Sequence, residues 1–326
     1  MKDFGEIPGG KNELKSLLFP FHRNFPFRIW SKYRWWKNNR LKEALPKLNR
    51  KNKWITVVDR LGAPGDALIT SNIIHSIKQT YENLKINCIS PHPELIELDP
   101  SIDAINRQET FYSFDSSYWD LIVRKEKNIN IVKHNLEKLG ISEYNYKVKY
   151  FPSEDELSWA KNQLSKEKKP ILAICTKSKE IVKNWPEENW GKLIDALSKD
   201  FNLLQLGDSA EPEFQTVKRY AGICTMRESA SLLAFADLFI GPDSLLMHLA
   251  NGLNIPSVII FGGSRPVRCF GYAENTNLES SPNCSPCWIH QGYESCNHDV
   301  ICMEEISVEV VLQAVLQKTK ILINPN

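Results

Sequence analysis

Short apolar runs alternate with stretches of helical period twice along this chain, and that alternation restricts it to a small set of folds. WITVVD (54–59), INCIS (86–90) and WDLIVR (119–124) read as strands of a first series. Between the first two, a helix is expected from about Asp66 to Glu82, with Ile69, Ile73, Ile74, Ile77 and Tyr81 keeping the period. PILAIC (170–175), NLLQLG (202–207), LFIG (238–241) and PSVIIFG (256–262) make a second series, with helices expected over Glu188–Leu197, near 212–221 and 227–236, and from Asp243. Strands that are apolar throughout must be covered on both faces, so each series predicts a parallel sheet wrapped by helices.

A length of 326 residues with 42% hydrophobic content suits two such domains. FPSEDELSWAKNQLSKEKKP (151–170) carries a helix start at Ser153 and a charged, proline-ended tail that suits a linker. The expected division is a basic arm over 1–53, a first domain over 54–165 and a second over 166–326. Two doubly wound, Rossmann-like domains would face each other across a cleft, with ligands beyond the carboxyl ends of the strands. The loops after residues 59, 175, 207, 241 and 262 are therefore the places to look, with Thr176 and Gly207 as ligand-binding candidates.

The arm is the chain's main charge asymmetry. Residues 11–53 hold thirteen Lys or Arg against two Glu, a local net of +11 where the whole chain has +2. In FRIWSKYRWWKNNRLKEAL, Trp30, Tyr33, Leu41, Ala44 and Leu45 fall roughly on one side of a helix. Such a helix either packs its aromatics on a protein body or lies on an anionic membrane surface. Nucleic acid is disfavoured, because no recognised binding motif accompanies the charge. With neither a membrane-spanning run nor a secretory leader, the chain reads as cytoplasmic, with a peripheral place at the inner face of the membrane open to it.

Three loops carry candidate chemistry. RLGAPGDALIT (60–70) leaves its strand through Gly62, Pro64 and Gly65 and sets Asp66 at a helix mouth, where it serves either as an N-cap or as a carboxylate aimed at a ligand. GPDSLLMHLANGL (241–253) starts a helix at Asp243 and Ser244, with His248 one turn on; free N–H groups there suit a diphosphate. KNWPEENW (183–190) places Lys183 just before a helix, where it can neutralise a leaving phosphate or simply be a surface cation. No G-x-G-x-x-G follows either opening strand, which disfavours a nicotinamide oxidoreductase, and no Asp-x-Asp pair points to a metal-bridged diphosphate.

In these loops the sequence resembles glycosyltransferase family 9, the heptosyltransferases of bacterial surface-polysaccharide assembly. DRLGAPGDALITSNIIHSIKQTYEN resembles its R-L-G-x-x-G-D segment, VKNWPEENWGKLI its K-x-W-P segment, and GPDSLLMHLANGLNIPSVIIFGG its D-[ST]-G-x-x-H-L-A segment. The resemblance spans roughly 54–320. It implies a GT-B fold and inverting transfer of a sugar, typically heptose from ADP-heptose, to a hydroxyl of a saccharide acceptor, which is possibly lipid-linked. It implies Asp66 as general base, Lys183 at the donor phosphates and sugar, Asp243, Ser244 and His248 in the donor loop, and Glu211 at the ribose, with Asp208 the alternative. The chain departs from the family at Leu245, where glycine is usual, which bears on the donor's identity and leaves a catalytically silent nucleotide-sugar or glycan binder as the other reading. No catalytic metal is expected.

One cluster stands apart. NCSPCWIHQGYESCNHDVICMEEI places Cys284, Cys287, Cys296 and Cys302 at spacings x2, x8 and x5. This suits a four-thiolate knuckle for structural zinc or iron, with free or redox-active thiols and disulfides as the other readings. The expectation is that it lies apart from the chemistry.

Overall fold

Five of the six residues of WITVVD are buried, which only a strand covered on both faces requires. A computed structural model describes residues 27–289 and 296–323 and divides the chain into two units. The first runs to Arg124 and resumes over Ile129–Phe151; the second comprises Lys125–Asn128 and the chain from Pro152. The division falls before the Ser153 helix start, so the helix Glu154–Leu164 belongs to the second unit.

In the first unit, strands β1 (Trp54–Asp59), β2 (Lys85–Ile89), β3 (Ala104–Ile105) and β4 (Ser113–Ser116) form a wholly parallel sheet in the order β3-β2-β1-β4. Val57 of β1 lies level with Cys88 on one side and Phe114 on the other. The helix after β1 spans Pro64–Thr80, with proline in its first turn, where the missing N–H costs nothing. Ile69, Ile73, Ile74 and Ile77 are all buried.

WDLIVR is not a strand. Residues Trp119–Arg124 are a helix, entered through Ser117, whose hydroxyl accepts the Trp119 amide at 3.2 Å. Only Leu121 of the six is buried, so the run lacks the two-sided cover of an inner parallel strand. The strand is instead the more polar SFDS, tolerated because its side chains are partnered. Ser116 accepts from Thr70 at 2.9 Å, and Arg34, Lys37 and Arg60 surround the buried Asp115. Burial pushes the Asp115 carboxyl up, but these three cations outweigh it and hold it below the usual range.

Those pairs also decide how the basic helix sits. The helix Phe27–Arg50 buries Arg34, Asn38, Leu41, Leu45 and Leu48, one stripe at helical spacing, and belongs to the first unit rather than standing apart as an arm. Tyr33 is outside that stripe: it is 55% exposed, with Trp35 at 68% and Trp36 at 48%. Ala44 is only half-buried, and the side chain of Trp30 lies outside the described residues, as do residues 1–26. The carboxylates of Asp115 and Glu109 draw Arg34 and Lys37 inward, and the aromatic side chains stay outside.

The second unit holds a six-stranded sheet, also parallel throughout: β5 (Ile171–Ile174), β6 (Asn202–Gln205), β7 (Lys218–Arg219), β8 (Leu238–Pro242), β9 (Ser257–Phe261) and β10 (Thr276–Glu279), in the order β10-β9-β8-β5-β6-β7. Helices Glu187–Leu197, Met226–Leu233 and Leu245–Gly252 match the expected ones within three residues at each compared end. The helix expected near 212–221 is absent. Pro212 opens that stretch, and Arg219 donates to Gln205 Oε1 and the Pro212 carbonyl, each at 3.1 Å, which fixes β7 beside β6.

The core gathers Leu172, Ile174, Trp190, Leu238, Val258 and Val311 around one face of this sheet. Among the described residues, no helix is long and apolar enough to cross a membrane.

Candidate active site

In each sheet the strand order reverses beside the first strand of its series, at β1/β4 and at β5/β8. Loops leaving the carboxyl ends there diverge and open a crevice, which is where doubly wound sheets hold ligands. Asp66 follows β1, Thr176 follows β5, and Asp243 and Ser244 follow β8.

The β1 turn is held from below by Asp59, which accepts the Leu61 amide at 3.2 Å and the Gly62 amide at 3.0 Å. Gly62 takes φ +74°, a conformation that side chains resist. Burial raises the Asp59 carboxyl to about 6, against the pull of the Gly62 amide and the Ser90 hydroxyl. Gly65 stands beside Asp66 in the first turn of the helix.

Asp66 is not the N-cap: that position is Ala63, because the helix already starts at Pro64, and Asp66 in its first turn reaches back to it. Its Oδ2 accepts the Ala63 amide at 3.2 Å, closing the first turn, and its Oδ1 accepts the Tyr118 hydroxyl at 2.9 Å. The side chain is therefore fixed by two groups, one following each switch-point strand. Tyr118 went unnoticed in the sequence because nothing in YWDLIVR marks it as a partner for a residue 52 positions earlier.

In the second unit the residues after β5 and β8 converge. Lys183, on a short 3-10 turn over Ile181–Lys183, reaches Asp243 Oδ2 at 2.9 Å and Glu180 Oε2 at 3.3 Å. Asp243 is 4% exposed, so its charge is held almost entirely by that lysine. Ser244 is the N-cap of Leu245–Gly252 yet makes no side-chain cap bond, leaving its hydroxyl for other use; it lies 4.0 Å from Cys175 Sγ. Leu245 is the first, half-buried residue of that helix.

Glu211 is drawn under the β5 loop. It accepts the Thr176 amide at 2.7 Å, the Thr176 hydroxyl, the Lys177 amide at 3.2 Å and the Cys175 thiol at 3.4 Å. Burial nevertheless pushes its carboxyl up. Gly207 makes room for it: at φ +139° a Cβ here would run into the Glu211 carboxylate. Asp208 is exposed and caps the Ala210 amide instead.

His248 is buried, with Nδ1 2.6 Å from the Tyr272 hydroxyl. Burial lowers its pKa to about 4; nearby Asp243 opposes that shift and Lys183 adds to it. The folded protein thus keeps the imidazole neutral while the unfolded chain protonates it near 6.5, so stability present at neutral pH is lost as the pH falls from 6.5 toward 4. The full loss is about 3 kcal/mol. Asp59 works in the opposite direction, since its raised carboxyl takes up a proton in the folded state as the pH falls below about 6. His248→Gln removes only the first contribution. Its melting temperature should fall less steeply than wild type between pH 6.5 and 4, and parallel curves would contradict this assignment.

The cysteine segment is not apart from these residues. Its four thiols are free of disulfides, and together with Val182 and Gly263 they line one cavity of about 20 Å³. Burial raises the Cys302 thiol, and the neighbouring Cys287, Cys296 and Cys284 add to the rise. Among the described residues, no group of three or more His, Cys, Asp or Glu is closed tightly enough to hold a metal ion. His290 lies outside the described residues.

A lysine–carboxylate pair and an open helix start thus lie together at the switch point of a parallel sheet, in an α/β protein. The fold is that of a glycosyltransferase family 9 protein from Veillonella parvula DSM 2008 (TM-score 0.63, 14% identity, covering 82% of this chain and 96% of that one). It is also that of TibC from enterotoxigenic E. coli H10407, an iron-containing dodecameric glycosyltransferase (TM-score 0.65, 16% identity, 82% and 76%). Two parallel sheets with their helices make this the GT-B fold, as in TibC.

The chain belongs to glycosyltransferase family 9 (heptosyltransferase), whose model matches residues 118–298. Lipopolysaccharide heptosyltransferase 1 of Escherichia coli K12 is 29% identical over 109 residues, which is 31% of this chain and 34% of that protein. Lipopolysaccharide heptosyltransferase 3 of the same strain is 26% identical over 172 residues, 46% and 47%. The chain thus spans from about a third to about half of the curated relatives it matches. The turn bearing Asp66 precedes the residues matched by the family model.

Proposed function

We propose that this protein is an inverting glycosyltransferase that moves heptose from ADP-heptose to a hydroxyl of a saccharide acceptor in bacterial surface-glycan assembly. The observation that carries the reading is the set after β5 and β8: Lys183 on Asp243, the Ser244 helix start, and the Thr176 loop over Glu211. The family supports it, as does a TibC structure in complex with ADP-D-beta-D-heptose.

In this mechanism the acceptor hydroxyl attacks the anomeric carbon from the face opposite the diphosphate, so the configuration inverts. Asp66 Oδ1 takes the hydroxyl proton as the bond forms. A carboxylate oxygen has a second lone pair beside the Tyr118 bond, and the two fixed partners set its direction. The negative charge that develops on the ADP leaving group is met by the Lys183 ammonium and the first amides of Leu245–Gly252, whose helix leaves them without intrahelical partners. Thr176 and Glu211 meet the nucleoside side, and neutral His248 lies one turn into the helix that follows Asp243, against Tyr272.

The reading is tested by heating the protein with a panel of nucleotide sugars, because a ligand that binds only the folded state raises the melting temperature by mass action. ADP-heptose should give the largest rise. A larger rise with another nucleotide sugar reassigns the donor, no rise with any removes the reading, and a rise without ADP release on adding acceptor makes the protein a silent binder.

The four thiols lining one cavity are of the donor type a thiolate metal takes, though they are not gathered closely enough to hold one as they stand, and TibC is iron-containing. Cys284, Cys287, Cys296 and Cys302 would hold structural zinc or iron, which would cross-link the segment and leave the sugar chemistry to the residues above. Elemental analysis finding neither metal near one per chain removes this part. The exposed Tyr33, Trp35 and Trp36 on a cationic helix suit an anionic membrane surface, where a lipid-linked acceptor resides, and this would place the protein in the cytoplasm at the inner face. Equal sedimentation with anionic and neutral vesicles would remove that part.

A further inference from the structure

Arg265 follows the glycines at the end of β9 and is 5% exposed, a costly place for a guanidinium unless its charge is used. Its three partners tie it to two places at once. Nη1 donates to the Ile289 carbonyl at 2.9 Å, and the guanidinium lies 5.4 Å from the centre of the Trp288 ring, both within the four-cysteine segment. Nη2 reaches Glu180 Oε1 at 3.5 Å. The other oxygen of that same carboxylate, Oε2, holds Lys183, which in turn holds Asp243. The backbone runs in parallel with this chain of ion pairs: the Cys287 amide donates to the Gly263 carbonyl at 3.0 Å and the Trp288 amide to that of Ser264 at 2.9 Å.

We propose that Arg265 is a positioning residue that ties the four-cysteine segment to the diphosphate end of the donor site, sharing Glu180 with Lys183 so that the lysine keeps its charge for the ligand. The inference rests on the donor reading above. Two cations, Lys183 and Arg265, are set against the two carboxylates Glu180 and Asp243 where the diphosphate would arrive. Removing Arg265 makes this cluster more negative by one charge and takes one cation from Glu180, which then draws more strongly on Lys183. An anion then meets added repulsion in a largely dry site, where charges act strongly.

This makes a suppressor prediction that a merely structural arginine does not share. Using the full chain and ADP as the probe, Arg265→Ala should weaken the Kd about tenfold. Adding Glu180→Gln to it removes one negative charge to offset the lost cation and should return the Kd to within about threefold of wild type. Arg265→Lys keeps the charge and should also stay within about threefold, which preserves the test if the alanine variant folds poorly. In Arg265→Ala, amide hydrogen exchange over 284–289 should quicken, because the segment has lost its anchor.

Wild type that binds no ADP overturns the donor reading and this inference with it. Wild type that binds ADP overturns the inference alone in any of three cases: Arg265→Ala binds equally well, Glu180→Gln fails to rescue it, or exchange over 284–289 is unchanged.

Discussion

Asp66→Asn should lower the rate of sugar transfer by about 10²–10⁴-fold, the range that a positioned general base contributes, while ADP binding stays within about twofold. The two outcomes separate because Asp66 lies in the first unit and the donor residues in the second. Asparagine keeps an acceptor for the Tyr118 hydroxyl but has no basic lone pair to take a proton at neutral pH. It gives up part of the cap on the Ala63 amide, at a cost of about 1 kcal/mol, so the variant should remain folded. Turnover by a folded Asp66→Asn at more than a third of the wild-type rate would leave Asp66 as the residue that closes the helix's first turn and nothing further. Measured ADP release under saturating donor and acceptor decides between these outcomes.

Lys183→Ala should lower kcat/KM by about 10²–10³-fold, comparable with removing one preorganised donor from a charge-stabilising site. Two effects combine. The ammonium no longer faces the leaving diphosphate, and Asp243, 4% exposed, is left as a buried carboxylate without its 2.9 Å partner. The second effect also costs stability, so the comparison that matters is with Lys183→Ala/Asp243→Asn, which removes the stranded charge. In that double variant the melting temperature should recover toward wild type while transfer stays impaired. Recovery of both would make the pair a structural ion pair, and equal catalytic efficiency in Lys183→Ala would contradict a donor role outright.

The apolar strands were legible because burial on both faces leaves no polar position to confuse the pattern, as in LFIG and PSVIIFG. WDLIVR misled because six residues with four apolar ones fit one helical turn and a half as well as a strand, and nothing local records that SFDS already fills the sheet position. SFDS in turn is a strand only because Arg34, Lys37 and Arg60, drawn from 55 to 81 positions away, satisfy its aspartate. The same pairs explain the arm: helical period located Leu41 and Leu45, but which side Tyr33 takes depends on carboxylates that the helix itself does not contain.

The site followed a similar rule. Asp66, Asp243 and Ser244 sit where loops leave strand ends and Lys183 on the turn beyond β5, so order and motif pointed to these positions as candidates. Glu180 and Arg265 read as ordinary charges in KSKE and GSRP, and their use emerges only when the chain brings Lys183, Glu180 and the cysteine segment together. The cysteine spacing was visible from the start, but its nearness to the loop after β9 was not, since that depends on backbone bonds from Cys287 and Trp288 to Gly263 and Ser264.

The central claim is that the helix start after β8 and Lys183 receive a nucleotide diphosphate. A crystal structure of the protein with ADP tests it most directly. The account predicts phosphate oxygens within about 3 Å of Lys183 Nζ and of the first amides of Leu245–Gly252, the distance of a charge-assisted hydrogen bond, with the ribose toward Thr176 and Glu211. ADP bound elsewhere on the chain, with Lys183 still closed on Asp243, would contradict it.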